Sequence, residues 1–345
     1  MSSLLAQRPF APRDDATLLS ELVELSRHHL ASCPAYARIW PSFGKVSRVE
    51  ELPWLHVGLF KRLELVSGAA GTRRERILRS SGTSGSASKV RLDAASSELQ
   101  ARSTAAILAE FLGDERRPLL VLDSARALVG TELPARLAAA MGLKPLASDL
   151  RFIVEDSAST PVRWEVVADV VRGHRDVLVF GTTTSLWQVW GAAHIPDAAV
   201  EALRGCRVHF VHSGGWKRLE AQRIDRATFD AALLARTGEG SRVIDFYGLA
   251  EQVGIVFPAC ELGNRHVPRW VDLVVRDPYT LAPLDGEAGL LQLLNPLALG
   301  APYHSVLTED LARVGQGPCP CGRGGKHFEL LGRVPRAEAR GCGVA

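Results

Sequence analysis

Between Arg79 and Lys89 the chain reads RSSGTSGSASK, a composition suited to holding an anion. No side chain from Ser80 to Ser88 is large, and Gly82 and Gly85 let the backbone turn closely around a ligand. Hydroxyls at Ser81, Thr83 and Ser84, with exposed backbone N–H groups, bind anionic oxygens, and Lys89 adds a point charge for phosphate. The spacing is not GxxxxGK[ST], so this is not a Walker loop. A flexible Ser/Gly linker has the same composition. The flanks Arg76-Ile77-Leu78 and Val90-Arg91-Leu92 argue instead for a hairpin with a phosphate-binding tip.

Four further groups of residues carry possible chemistry. Cys260 and His266 are followed by Cys319-Pro320-Cys321-Gly322, three thiolates and one imidazole in two clusters, which matches a tetrahedral structural Zn²⁺ site. Three unrelated buried cysteines are the alternative. Glu251, in Tyr247-Gly248-Leu249-Ala250-Glu251, could hold Mg²⁺ on a triphosphate, or could be a solvated glutamate opening a helix. Asp310, in Thr308-Glu309-Asp310, could accept both hydroxyls of a ribose, or could belong to a plain turn. His212-Ser213-Gly214-Gly215-Trp216-Lys217 joins a close backbone approach to an aromatic face and a cation; a core tryptophan beside a glycine turn reads the same way. Ser-His-Asp catalysis has no support, because no GxSxG elbow is present.

The elements that must position these residues follow from periodicity. Pro118 to Leu122, Val177 to Phe180, Arg207 to Val211 and Val243 to Phe246 are short apolar runs, as buried parallel strands require. Helical patterns over Ser96 to Leu112, Pro134 to Met141 (with Thr131 as a plausible cap) and Arg223 to Thr237 lie among them. This alternation predicts an α/β domain with a mainly parallel sheet. Its strands run into GTTT, HSGG and YGLAE, and ligands bind beyond the C-terminal ends of such strands, so these loops should converge on one pocket. Gly181 to Thr184 and Trp187 are candidates for bordering that pocket.

Beyond residue 255, turn signals separate Val271 to Val275, Gly289 to Leu294 and Phe328 to Leu331, which predicts a β-rich subdomain. The expected division is 1–255, 256–332 and a tail, 333–345. Before the hairpin, residues 14 to 32 read as a helix ending near Cys33-Pro34. Its adjacent His28 and His29 point to different faces and read as surface residues.

Bulk composition narrows the function. With 345 residues, 46% of them hydrophobic, the chain can bury a large core. A formal net charge of +3, without basic clusters interleaved with aromatics, gives no reason to invoke nucleic acid. The N-terminus lacks the pattern of a signal peptide, and no run of about 18 apolar residues suggests a membrane span. The expectation is a cytoplasmic protein in which Cys33, Cys206, Cys260, Cys319, Cys321 and Cys342 form no disulfides.

In order, SSGTSGSASK, GGWK, FYGLAEQ, LTED, CPCGR and Gly332-Arg333 resemble the motifs of the adenylate-forming superfamily, from about residue 20 to the C-terminus. Two branches are most similar: phenylacetate–CoA ligase and the acyl-protein synthetase of bacterial bioluminescence. PWLHVGLFK and HSGGWK are particularly like the second. The resemblance implies that Ser81 to Lys89 wraps the phosphates of ATP and that Gly214 and Gly215 border adenine. It further implies that Tyr247 and Gly248 lie against the adenylate and acyl group. Glu251 would ligate Mg²⁺, Asp310 would bind ribose, and Arg333 would mark a hinge. It supports the Zn²⁺ set, which is similar to a site among phenylacetate–CoA ligase relatives.

Two departures from the family pattern follow. The usual arginine before the ribose aspartate is replaced by Tyr303-His304-Ser305, and the sequence runs only twelve residues past Arg333. That leaves no counterpart of the mobile C-terminal domain with its catalytic lysine; Lys217, Lys89 or a partner protein would supply the charge. Cys342, between two glycines, would then accept the acyl group as a thioester, as a cysteine near the C-terminus does in the acyl-protein synthetase branch. The implied function is ATP-dependent activation of a fatty or aromatic acid, transfer to a protein thiol, and delivery to an acyl reductase or acyl carrier protein. A coenzyme A or carrier-protein ligase, and a non-catalytic acyl-binding subunit, are the alternatives.

Overall fold

The computed structural model describes residues 3–68, 76–80, 87–130, 132–155 and 162–334. Helix α1 (Asp15–Ser32) starts where the Asp14 side chain accepts the N–H groups of Ala16 and Thr17. Leu18, Leu22, Leu25 and His29 recur at helical spacing and form its buried stripe. His29 is therefore not a surface histidine: it occupies the inner face and is fully buried, while His28 is exposed. Pro34 then opens the short α2 (Pro34–Ile39).

Strand β1 (Leu55–His56) is only two residues long and runs into a 3₁₀ turn, Val57–Lys61. The predicted hairpin is present. β2 (Arg76–Arg79) pairs antiparallel with β3 (Lys89–Leu92), Arg79 facing Lys89, and the N–H of Ser80 donates to the carbonyl of Ser88 at 3.1 Å. Helix α3 (Ala94–Leu112) begins two residues earlier than its apolar pattern suggests, because Asp93 caps it by accepting the Ser96 N–H.

The central sheet has six strands in the order β10-β9-β8-β7-β4-β6. β4 (Arg117–Val121), β6 (Ala147–Phe152), β7 (Asp176–Thr182), β8 (Arg207–Ser213) and β9 (Arg242–Tyr247) are parallel, and β10 (Phe257–Pro258) is antiparallel to β9. Between β4 and β6, β5 (Glu132–Pro134) joins the hairpin and leads directly into α4 (Ala135–Gly142). No side chain caps α4; Thr131 lies outside the described residues. The remaining helices are α5 (Trp164–Gly173), α6 (Thr183–Leu186), α7 (Asp197–Arg204) and α8 (Arg226–Leu234).

Both faces of the sheet are covered. Leu119, Val121, Leu178, Phe180 and Val211 enter one apolar cluster, and Leu120, Val177, Val179, Val208 and Phe210 enter the other. This two-residue alternation within continuous apolar runs is how a doubly covered parallel sheet divides its side chains.

A second, largely antiparallel sheet follows. Its strands are β11 (Arg265–His266), β12 (Asp272–Arg276), β13 (Pro283–Leu284), β14 (Ala288–Leu294), β15 (Ser305–Val314) and β16 (His327–Arg333), in the order β11-β16-β15-β14-β12-β13. β1 adds to it in parallel, Leu55 facing Val306 and His56 facing Leu307. Thr308-Glu309-Asp310 is no turn: it lies in the middle of β15, the longest strand described. The polar residues are tolerated there because the Thr308 hydroxyl donates to the Leu291 carbonyl of the neighbouring strand at 2.7 Å. One apolar cluster runs through both sheets, including Phe246 and Ile255 as well as Trp270 and Phe328.

Candidate active site

Because β7, β8 and β9 are parallel, their C-terminal ends open on one side of the sheet. GTTT, HSGG and YGLAE meet there, as expected, around a cavity of about 1970 Å³. Thr182, Gly214, Gly215, Tyr247 and Glu251 border it from the parallel sheet, and Asp310 and Arg333 from the second sheet. Gly214 has φ +89°, a conformation open to glycine but strained for a residue with a Cβ. The Thr183 hydroxyl donates to the Gly214 carbonyl at 2.6 Å and stands 3.0 Å from His212 Nδ1, which pins this loop to the start of α6. Burial brings His212 down to about 4, so at neutral pH its imidazole is uncharged. Of the candidates for bordering this pocket, Thr182 and Thr183 do so, whereas Gly181, Thr184 and Trp187 do not; the Trp187 ring stacks on Phe229, 6.2 Å between centroids, and Phe229 borders the cavity in its place.

The Asp310 carboxylate is held by two side chains of the cavity. Tyr247 Oη donates to its Oδ2 at 2.7 Å, and Arg333 Nε donates to its Oδ1 at 3.3 Å. Register explains the second contact, since Asp310 on β15 faces Arg333 on β16. Burial and the Asp310 charge hold the Tyr247 phenol well above its usual range, so it remains a donor. Glu251 follows β9 in a 3₁₀ turn and is only 4% exposed. Burial raises its carboxyl above the usual carboxylate range, although Ser88, Lys61 and Arg333 act the other way. A buried carboxylate whose charge is incompletely compensated fits a divalent cation ligand.

Around β11 and the connection from β15 to β16, the donor atoms of Cys260, His266, Cys319 and Cys321 all lie within 4.8 Å of one another. Tetrahedral zinc, with bonds of about 2.0–2.3 Å, needs ligand atoms roughly 3.5–4 Å apart, so the cluster fits with small adjustment. Cys321 Sγ is 3.1 Å from His266 Nε2, and Asn264 Nδ2 donates to Cys319 Sγ at 3.4 Å, the kind of outer contact that orients a thiolate ligand. Gly322, at φ +84°, closes the Cys319 turn by donating its N–H to the Cys319 carbonyl at 3.1 Å.

The sequence model of the family described as acyl-protein synthetase, LuxE, matches residues 11–345. The chain belongs to the LuxE family. It is 28% identical over 155 residues to a long-chain-fatty-acid–luciferin-component ligase of Aliivibrio fischeri, covering 44% of this chain and 40% of that protein. It is 30% identical over 147 residues to the Vibrio harveyi protein of the same name, covering 41% and 37%. The matched stretches thus span about two-fifths of those relatives' length. A crystal structure of 2-hydroxyisobutyryl-CoA ligase with 2-HIB-AMP and CoA matches 95% of this chain and 77% of its own, at 14% identity and a TM-score of 0.69. That likeness shows the fold, and the expected α/β adenylate-forming architecture is the one observed.

Not every residue singled out in this LuxE-family sequence reaches the cavity. Lys89 is exposed and lies 3.6 Å from Glu132, its nearest acidic partner. Ser81, Gly82, Thr83, Ser84, Gly85, Cys342 and the side chain of Lys217 lie outside the described residues. Conversely, Lys61 borders the cavity and acts on the Glu251 carboxylate. Lys61 ends the PWLHVGLFK segment, whose local sequence assigns it no role, because its place depends on β1 pairing with β15 some 250 residues away. The buried Arg265, which donates to Asp245 and, at 2.7 Å, to the Phe257 carbonyl, also escaped notice; it ties β9 to β11. Among the described residues, no helix is long and apolar enough to cross a membrane.

Proposed function

We propose that this protein activates a carboxylic acid with ATP and passes the acyl group to a protein thiol. The observation that carries the reading is the single cavity in which Asp310, held by Tyr247 and Arg333, faces the strand-end loops and Glu251. Asp310 would accept the ribose hydroxyls, with Tyr247 covering the adenylate and Gly214 and Gly215 the adenine. The substrate carboxylate would attack the α-phosphorus, forming the acyl–phosphate bond as the bond to pyrophosphate breaks. A thiolate would then attack the acyl carbonyl, forming the thioester and expelling AMP. Mg²⁺, held by Glu251, would neutralise phosphate charge when bound. Among the described residues, Lys61 and Arg333 border the cavity and act on the Glu251 carboxylate. Zn²⁺ at the Cys260, His266, Cys319 and Cys321 cluster would be structural, since four protein ligands leave no open position.

Cys342 is the proposed first acceptor, supported by its glycine neighbours and by family membership. Delivery from there to an acyl reductase or a carrier protein fits the relatives' names, which join an acid to a luciferin component. Pyrophosphate release against a panel of aliphatic and aromatic acids, followed by intact-mass analysis, tests both steps. The expected adduct disappears in Cys342→Ser. Retention of an acyl thioester by that variant would sink the acceptor assignment, and dependence on added coenzyme A would shift the reading to an acyl-CoA ligase.

A further inference from the structure

The FYGLAEQ motif closes on Gln252, directly after Glu251. Gln252 is fully buried, and both ends of its amide reach across to the second sheet. Its Nε2 donates to the Tyr303 carbonyl at 2.7 Å, and its Oε1 accepts from Asn295 Nδ2 at 2.7 Å. Asn295 and Tyr303 are buried as well and lie near the two ends of the connection from β14 to β15. The Asn295 N–H closes that connection by donating to the His304 carbonyl at 2.8 Å. A backbone group of one polarity fixes the orientation of each amide. The Tyr303 carbonyl can only accept, so Gln252 presents nitrogen to it. The Leu297 N–H, 2.9 Å from Asn295 Oδ1, can only donate, so Asn295 presents nitrogen to Gln252.

The same turn is held from two further sides. The Gln252 N–H donates to the Leu249 carbonyl and the Ile255 N–H to the Gln252 carbonyl, both at 3.1 Å. At Gly254, with φ +83°, a Cβ would stand 2.5 Å from the Cα of Gln100, so the chain leaves the turn flat against α3. Gln100 Nε2 in turn donates to Tyr303 Oη at 2.7 Å. The turn that carries Glu251 is thus locked to the connection that leads into β15, the strand that carries Asp310.

We propose that Gln252 is a positioning residue for the metal-bound nucleotide: through Asn295 and Tyr303 it fixes the Glu251 turn relative to β15, so that Glu251 holds the divalent cation on the triphosphate while Asp310 holds the ribose of the same ATP. The proposal rests on the acid-activating reading above and deepens it. Two groups on different sheets serve one ligand well only when their spacing is set beforehand, because a loose spacing must be ordered at every binding event. Contacts that orient a metal ligand from outside are worth roughly 10- to 100-fold in metal affinity.

The test is calorimetric binding of AMP and of the uncleavable α,β-methylene analogue of ATP across a titration of Mg²⁺, alongside pyrophosphate release with the free acids. AMP reads the ribose side alone, and the triphosphate analogue reads the metal as well. Gln252→Met keeps the length of the side chain and removes both amide hydrogen bonds. This variant should bind AMP within about twofold of the wild type, yet need roughly tenfold more Mg²⁺ for half-maximal binding of the analogue. Asn295→Leu, from the other sheet, should repeat that split if the first variant does not fold. An unchanged Mg²⁺ requirement in a folded variant, or AMP and analogue affinities that fall together, would reduce Gln252 to a packing role. Wild-type binding of the analogue with no dependence on Mg²⁺ would also overturn the positioning role, while pyrophosphate release by the same protein would keep the acid-activating reading. The expected split without pyrophosphate release from any acid would leave the role of Gln252 standing and overturn the proposed activity instead.

Discussion

Lowering the pH should destabilise this fold through His29, which its sequence neighbours suggest is a surface residue, and through His304 packed against it. His29 and His304 are fully buried, their ring centroids 4.8 Å apart. His29 Nε2 pairs with the Ala298 carbonyl at 2.8 Å and its Nδ1 with the Ser67 hydroxyl at 2.7 Å, while His304 Nε2 pairs with the Ser26 hydroxyl at 2.8 Å. Burial first, and then the neighbouring imidazoles, bring His29 down to about 2 and His304 to about 3, against 6.5 in an unfolded chain. Between those values the unfolded state binds the additional protons. The contribution to stability is therefore complete above pH 6.5 and is lost as pH falls towards the folded values. At pH 4.5 the loss is about 2.7 kcal/mol per histidine and about 5 kcal/mol for the pair, at 1.36 kcal/mol per pH unit. That is comparable with the whole stability of many domains, about 5–15 kcal/mol. The assay is urea denaturation at pH 7 and pH 4.5 for the wild type and for the His29→Asn/His304→Asn variant. The variant should be weaker at pH 7 yet lose about 5 kcal/mol less between the two conditions. An equal loss in both proteins would refute the assignment.

Other outcomes follow from the cavity and the cysteine cluster. Asp310→Asn should raise the KM for ATP by roughly 10- to 100-fold, because a charge-assisted hydrogen bond is worth about 1.5–3 kcal/mol; pyrophosphate exchange reads this, and an unchanged KM would exclude a ribose contact. Lys61→Met should slow acid-dependent pyrophosphate release by about 100-fold, the usual effect of removing one preorganised transition-state contact, whereas Lys89→Met should have little effect. Protein purified without chelators should carry one zinc per chain by elemental analysis, and Cys319→Ser/Cys321→Ser should lose both the metal and thermal stability. Metal-free protein with unaltered melting would argue for four adjacent but independent side chains.

What could be read beforehand, and what could not, divides along the range of the contacts involved. Val177 to Phe180 and Arg207 to Val211 announce buried strands by composition alone, and the small residues that follow them mark where a parallel sheet opens on a ligand. The two zinc-like clusters could likewise be recognised from ligand type and spacing. His29 differs from its surface expectation although its signal is local: it continues the buried stripe of Leu18, Leu22 and Leu25, and its polarity obscures the period.

β15 failed for a deeper reason. Thr308, Glu309 and Asp310 look like turn residues, yet they lie mid-strand, where pairing with β14 and β16 carries Asp310 to the cavity. The same strand explains Lys61. Only the parallel pairing of Leu55 with Val306 brings the turn carrying Lys61 to the cavity that Asp310 borders, and a contact between residues 251 positions apart leaves no periodic trace in either segment. The motifs are short because each is a strand end. The site is complete only where β1 and β15 meet, so the cation beside Glu251 belongs to the tertiary fold and not to any motif.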